Sequence, residues 1–152
     1  MSNYTILNCD LLGSNADYIA HQCNATGNRS AGLAAALFKK WPKANIYNGK
    51  YKQENRTLGE IISRKVDNTT ILNMVIQKDT GKPKPGDSMR QRLEYFETCL
   101  SKIIEIHSTP FTIAFPYGIG CGLAGGVWSE YEKILKQFAS NHPSVSVIIC
   151  KL

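Results

Sequence analysis

His21, Asn24, Lys78 and Asp10, together with a run of glycines between Gly118 and Gly126, are the residues whose types and setting could do chemistry. His21 falls in a strand-like segment, Tyr18 to Cys23, directly before the small polar run Asn24-Ala-Thr-Gly-Asn-Arg-Ser30. An imidazole there could act as acid, base or nucleophile on a phosphate ester, or be a core histidine hydrogen-bonded inside a sheet. Asn24 opens the polar run; its amide could donate to and accept from a sugar hydroxyl, or form the turn expected of Asn28. Lys78 closes a later strand at the start of a loop. It reads either as a solvated strand-end lysine or as an amine nucleophile that forms a Schiff base with an opened sugar aldehyde. Asp10 ends the first strand and could cap the next turn or accept from an exocyclic amine such as that of adenine. His107 and His142 stand near element ends and have no comparable context.

The glycines form the second half of the argument. Phe115-Pro-Tyr-Gly-Ile-Gly-Cys-Gly-Leu-Ala-Gly-Gly126 holds five of the chain's 12 glycines. An apolar run, Phe111 to Phe115, precedes it, and a helix-like run from Val127 to about Ser140 follows. A strand, a glycine turn and a helix in that order bring free backbone N–H groups and the positive end of a helix dipole to the C-terminal edge of a sheet, where they can hold a phosphate. Tight turning alone is the plainer use of such glycines. The run is no Walker sequence, because Gly126 is followed by Val127-Trp128, and no dinucleotide fingerprint, because it lies late and lacks the acidic partner. Neither GxSxG nor HExxH occurs. ATPase, dehydrogenase, serine hydrolase and zinc protease readings are excluded.

The elements that must position these residues follow from apolar periodicity and turn chemistry. Strands are expected at Tyr4–Cys9, Tyr18–Cys23, Gly59–Val66, Thr70–Gln77, Phe111–Phe115 and Val145–Cys150, with an Asp67-Asn68 hairpin turn. Helices are expected at Ala31–Trp41 (stopped by Pro42), Lys43–Glu54 with anchors Tyr47 and Tyr51, Met89–His107 with Ser88 as N-cap, and Val127 to about Ser140. The segment from Lys78 to Asp87 reads as a loop. Strands alternating with helices, plus one hairpin, describe an α/β protein: a three-layer α-β-α sandwich with a central mixed sheet. Two strand–loop–helix units in one sheet can place both loops at the same edge, facing a shared cleft.

Length and charge set the frame. The 152 residues make one domain, 1–152, with no internal repeat. The net charge of +6 suits an anionic ligand, but Lys39, Lys40, Lys43, Lys50, Lys52, Lys65, Lys82, Lys84, Arg90 and Arg92 are dispersed and read as a solvated surface. Cys9, Cys23, Cys99, Cys121 and Cys150 form no CxxC pair, so free thiols are expected and neither a zinc site nor a disulfide framework, with Cys121 partly exposed in its loop. No cofactor or metal is implied. No membrane-spanning run and no signal-peptide pattern occurs, so an intracellular, cytoplasmic monomer (or a nuclear one in a eukaryote) is expected.

Two stretches carry a family resemblance: Ile19-Ala-His-Gln-Cys-Asn24 with Ala31-Gly-Leu-Ala-Ala-Ala-Leu-Phe-Lys-Lys40, and Phe115 to Gly126 with Trp128. Over essentially its whole length the chain resembles a macro domain, the ADP-ribose-binding module. It is most similar to the branch containing terminal ADP-ribose protein glycohydrolase and the yeast-type ADP-ribose-1″-phosphate phosphatases. The resemblance implies that ADP-ribose or a 1″-linked derivative is the ligand, with ADP-ribosylated protein or nucleic acid as a further partner. It implies that Pro116, Ile119, Gly120, Cys121, Gly122, Leu123 and Ala124 wrap the pyrophosphate and distal ribose, with Ala31, Gly32 and Leu33 opposite. Asp10 and Leu11 would hold the adenine, and His21 and Asn24 would stand near the distal ribose. In phosphatase-like members a histidine at the place of His21 is implicated in removing the 1″-phosphate, which makes His21 the principal catalytic expectation. In the glycohydrolase branch a lysine matching Lys78 attacks C1″ and a loop aspartate assists; here Ala124 stands where that aspartate would be. The expectation is therefore an ADP-ribose-1″-phosphate phosphatase, with an ADP-ribosyl hydrolase acting through Lys78 and a non-catalytic ADP-ribose reader as alternatives.

Overall fold

Six strands and three helices make up the regular structure of a computed structural model that describes residues 2–27, 30–47 and 56–152. In chain order these are β1 (Tyr4–Leu7), β2 (Tyr18–Asn24), α1 (Gly32–Lys40), β3 (Ile61–Val66), β4 (Thr69–Gln77), α2 (Met89–Ile106), β5 (Phe111–Pro116), α3 (Trp128–Asn141) and β6 (Val145–Cys150). The strands form one sheet in the order β1-β6-β5-β2-β4-β3. Every neighbouring pair is parallel except β3 with β4, whose ladder ends at Val66 and Thr69 across the expected Asp67-Asn68 turn. The mixed sheet and three layers thus match the pattern expected from sequence.

The two faces bury separate apolar sets. On one face Leu37 and Phe38 of α1 pack with Ile19, Cys23, Ile71 and Val75. On the other Phe96 and Ile103 of α2 and Tyr131 and Leu135 of α3 pack with Leu72, Met74, Ile113 and Phe115. The middle strands are covered on both sides, which explains why β4 reads as a nearly continuous apolar run. Ser88 caps α2 by accepting from the Gln91 amide at 3.1 Å. Among the described residues no helix is long and apolar enough to cross a membrane.

Of the departures from the expected elements, two have a visible local cause. β1 stops at Leu7 and not Cys9, because β6 ends at Cys150 and the last bond of that edge is Lys151 N–H to Leu7 O at 2.9 Å. The helix expected over Lys43–Glu54 is, in its described part, a single 3-10 turn at Pro42–Ala44. Asn45 Oδ1 then accepts from the Tyr47 amide at 2.8 Å, a local bond that competes with helix continuation. The remainder of that segment, with Tyr51, lies outside the described residues.

Candidate ligand-binding cleft

The sheet opens between β2 and β5. These strands pair at only two positions, Tyr18 with Ile113 and Ile19 with Ala114. Beyond them β2 follows β4 as far as Asn24 opposite Gln77, and β5 follows β6 as far as Pro116 opposite Cys150. The helix after β2 packs on one face and the helix after β5 on the other, so the fork is a topological switch point, where α/β proteins place their ligands. A cavity of about 210 Å³ sits in this fork, lined by Gln22, Asn24, Ala31, Ala34, Tyr47, Thr80, Gly81 and Leu123. A larger groove of about 520 Å³ runs between α2 and α3, but it contains none of the residues expected at the site.

One wall is the glycine loop. Gly118, Gly120 and Gly125 all have φ between +76° and +78°, so the loop turns in a region that side chains disfavour. At Gly120 a Cβ would also stand 2.4 Å from Tyr131 Cζ, so the loop can lie this close to α3 only without a side chain. Some loop amides close the turn: Ile119 to Pro116 O, Cys121 to Gly118 O, Gly125 to Gly122 O and Gly126 to Gly120 O. The amides of Gly120, Gly122, Leu123 and Ala124 donate to nothing among the described residues. Unpaired N–H groups clustered beside a helix start are the physical requirement for an anion site. Leu123 projects from the loop with 71% of its surface exposed, whereas Ile119 and Ala124 are buried.

The opposite wall comes from β2 and the start of α1. Ala31 occupies the cap position of α1 with no side-chain bond, and Gly32 has φ +54°, leaving the first N–H groups of the helix open toward the fork. Asn24 is 4% exposed and its Oδ1 accepts from the Gly27 amide at 2.6 Å. Its Nδ2 group donates to nothing among the described residues. Below the cavity a polar chain ties both faces together: Tyr131 Oη donates to Gln22 Oε1 (3.0 Å), Gln22 Nε2 to Gln77 Oε1 (2.7 Å), and Gln77 Nε2 to Asp79 O (2.8 Å). Burial pushes the Tyr131 phenol up to about 12, which keeps it a donor in this chain.

His21 takes the core alternative of the sequence reading and not the place at the cleft that the resemblance implied. Its ring is 1% exposed, lies 5.5 Å edge-to-face from Phe38, and does not line the cavity. Side chains alternate along a strand, so with Gln22 turned toward Tyr131, His21 turns into the α1 layer. Asn73 Nδ2 donates to Ala44 O and Ile62 O, so its Oδ1 faces the ring and the His21 Nε2 carries the proton of their 2.6 Å bond. Burial, opposed in part by that bond, holds the imidazole down at about 4. It is a neutral core histidine behind the cleft wall.

Lys78 is exposed at the end of β4, and its Nζ lies against Gly86, where an added Cβ would meet it at 3.2 Å. It too is absent from the cavity lining. Asp10 takes the capping role: its Oδ1 accepts from the Leu12 amide at 3.1 Å and starts a 3-10 turn at Leu11–Gly13. Leu11 is buried and this turn contacts β5. Asp10 therefore stands on the same sheet edge as the fork, capping a turn that contacts β5, the strand next to β2.

Two arginines hold the walls: Arg92, which the sequence reading placed on the solvated surface, and Arg56, which it did not single out. Arg92 is 1% exposed and pairs with Asp87 at 2.8 Å, while its Nη1 donates to Gly81 O (2.9 Å) and Ala124 O (3.3 Å). It straps the Lys78–Asp87 loop to the glycine loop. Arg56 does the same for the other wall, donating to Ala25 O (2.8 Å), Thr26 O (2.9 Å) and Ile46 O (2.7 Å). Arg92 was legible, since it lies four residues before Phe96, seven before Cys99 and eleven before Ile103, on the buried stripe of α2. Nothing in the residue pattern marks Arg56.

No family profile matches the chain. An ADP-ribose 1″-phosphate phosphatase of Candida albicans is 27% identical over 135 residues, covering 86% of each protein. A Bacteroides thetaiotaomicron protein of unknown function is 30% identical with a TM-score of 0.75 over 98% of both chains. The macrodomain of Thermus aquaticus DarG superposes with a TM-score of 0.74 at 20% identity over 98% of both chains. Thermosipho africanus DarTG, solved in complex with ADP-ribose, gives 0.72 at 18% identity over 97% of this chain and 41% of that one.

Proposed function

On the footing that the chain has the macrodomain fold, we propose that it is an ADP-ribose-binding hydrolase that removes phosphate from ADP-ribose 1″-phosphate. The observation that carries this reading is the fork between β2 and β5, with unpaired amides on both walls. The likeness to the Candida albicans phosphatase supports the choice of leaving group.

In this reading the amides of Gly120, Gly122, Leu123 and Ala124 and the start of α1 at Ala31, Gly32 and Leu33 hold the pyrophosphate from opposite sides. Pro116, Ile119 and Cys121 shape the loop that carries those amides. Asp10 and Leu11 receive the adenine; the Asp10 Oδ2 atom makes no bond among the described residues and can accept from the exocyclic amine. Asn24 Nδ2 donates to the distal ribose or its phosphate. Water attacks phosphorus, the bond to the C1″ oxygen breaks, and the proton of the water passes to the departing sugar oxygen. The charge that develops on phosphate is met by preorganised donors. His21 acts from behind the wall and touches no substrate.

Phosphate release from ADP-ribose 1″-phosphate tests the reading. Asn24→Asp keeps the acceptor for the Gly27 amide and replaces the donor by a charge that repels phosphate. Its kcat is expected to fall by about 100-fold, the scale of one lost transition-state donor. Unchanged turnover in this variant overturns the role of Asn24, and no release by the wild type overturns the phosphatase.

A reader without turnover is a second reading, favoured by one feature. The cavity lining carries no carboxylate, imidazole or amine among the described residues. Saturable ADP-ribose binding with no cleavage of any 1″-linked substrate selects it. Borohydride-trappable adduct at Lys78, with ADP-ribose leaving a modified macromolecule, selects the ADP-ribosyl hydrolase instead.

A further inference from the structure

Cys9 and Cys150 are 141 positions apart and meet at the C-terminal edge of the sheet, with their Sγ atoms 3.0 Å from one another. Their approach is set by backbone on both sides. Leu7 is in register with Cys150 and its carbonyl accepts from the Lys151 amide, while Asp10, just after Cys9, is fixed as the cap of the next turn. Cys9 is partly exposed and Cys150 is 5% exposed, so a small reagent reaches one sulfur and finds the second directly behind it. The remaining thiols lack this arrangement: Cys23 and Cys99 are buried, and Cys121 donates to Ile119 O in the glycine loop.

We propose that Cys9 and Cys150 form an oxidisable dithiol site, which closes to an intramolecular disulfide when a peroxide or a low-molecular-weight disulfide reaches Cys9. With peroxide, the Cys9 thiol is first oxidised to a sulfenic acid and one water leaves. The Cys150 sulfur then attacks the Cys9 sulfur; the S–S bond forms, the S–O bond breaks, and the Cys150 proton departs with hydroxide as a second water. Two electrons pass from the thiols to the peroxide. Cys9 is the entry sulfur because burial, and then Cys9 itself, push the Cys150 thiol up to about 12 and leave it little thiolate for a first attack. Bond formation needs the sulfurs to close by about 1 Å. The site joins the two ends of the chain beside Asp10, and the Cys150 carbonyl also takes the Tyr117 amide at the entrance to the glycine loop. The proposal stands independently of any ligand in the cleft.

The test treats the full chain with hydrogen peroxide and, separately, with oxidised glutathione, blocks remaining thiols, and maps peptides without reduction. The expected result is a loss of two hydrogens in one linked pair, Cys9–Cys150, reversed by dithiothreitol and abolished by Cys9→Ser and by Cys150→Ser. The oxidised wild type is expected to unfold at higher denaturant than the reduced form, a shift absent from Cys9→Ser. If Cys150→Ser does not fold, phenylarsine oxide supplies the second measurement: it bridges both thiols in the reduced wild type and is not retained by Cys9→Ser. A stable sulfenic acid or glutathione adduct on Cys9 with Cys150 still alkylatable overturns the proposal, as does an intramolecular disulfide that persists in Cys9→Ser.

Discussion

Replacing Arg92 by methionine tests whether the two loop walls are held by one buried guanidinium. The substitution keeps an apolar stem on the buried face of α2 and removes all four hydrogen bonds: two to Asp87 Oδ2 and one each to Gly81 O and Ala124 O. Asp87 is then stranded. Its Oδ1 keeps the Ser88 amide at 2.8 Å, but its Oδ2 retains only a 3.5 Å contact from the Lys78 amide, in a side chain 5% exposed. Leaving one member of a buried ion pair uncompensated costs about 3–5 kcal/mol. With a urea m-value of about 2 kcal/mol/M, the unfolding midpoint falls by about 1.5–2.5 M. Adding Asp87→Asn removes the stranded charge, so the double variant is expected to recover about 1–2 kcal/mol of that loss. Where both proteins are fully folded, ADP-ribose affinity is expected to drop about tenfold, or about 1.4 kcal/mol, because Gly81 and Ala124 lose their common anchor. A midpoint within about 0.3 M of wild type, or strict additivity of the two substitutions, refutes the strap.

Three further outcomes follow from single residues. Gly120→Ala puts a methyl 2.4 Å from Tyr131 Cζ at φ +76°, so it is expected to cost about 1–3 kcal/mol in denaturant unfolding and to abolish measurable ADP-ribose binding; unchanged binding contradicts the loop's role. Burial, offset in part by Asn73, lowers His21 from 6.5 to about 4, so the unfolded chain takes up a proton that the folded chain refuses. Its contribution is whole above pH 6.5, declines as pH falls toward 4, and totals about 3 kcal/mol; His21→Gln is expected to flatten the urea midpoint between pH 7.5 and 4.5, and an undiminished slope refutes the assignment. Asp10→Asn keeps the cap acceptor while discharging the side chain, and is expected to weaken ADP-ribose binding about 3- to 10-fold in calorimetry with little change in stability; a large stability loss instead makes Asp10 purely a cap.

Much of the fold was legible because local signals agreed with one another. Ser88 before an apolar stripe, Asp67-Asn68 between two β-branched runs, and Pro42 after Lys40 each fix a boundary by local chemistry, and the structure keeps them. The glycine loop was readable for the same reason: closely spaced glycines between a strand and a helix imply a backbone that side chains cannot follow. What the chain did not disclose depended on the third dimension. His21 and Gln22 are neighbours in sequence, yet strand alternation sends one into the core and the other under the cavity, and the choice of face depends on which helix covers it. Arg92 was read as one more surface cation because charge alone does not say that carbonyls from two loops converge on a guanidinium; its place on the buried stripe of α2 was the one available signal, and Arg56 carries none. The Cys9–Cys150 contact arises from sheet order, which brings the first strand against the last.

The account's central claim is that the fork between β2 and β5 is an ADP-ribose site. Titrating ADP-ribose into isotopically labelled protein and following the backbone amide resonances tests it most directly. Saturable shifts are expected at Gly120, Gly122, Leu123 and Ala124 on one wall and at Gly32 and Leu33 on the other, together with the Asn24 side-chain amide. An absence of saturable shifts, or shifts confined to the groove between α2 and α3, contradicts the claim.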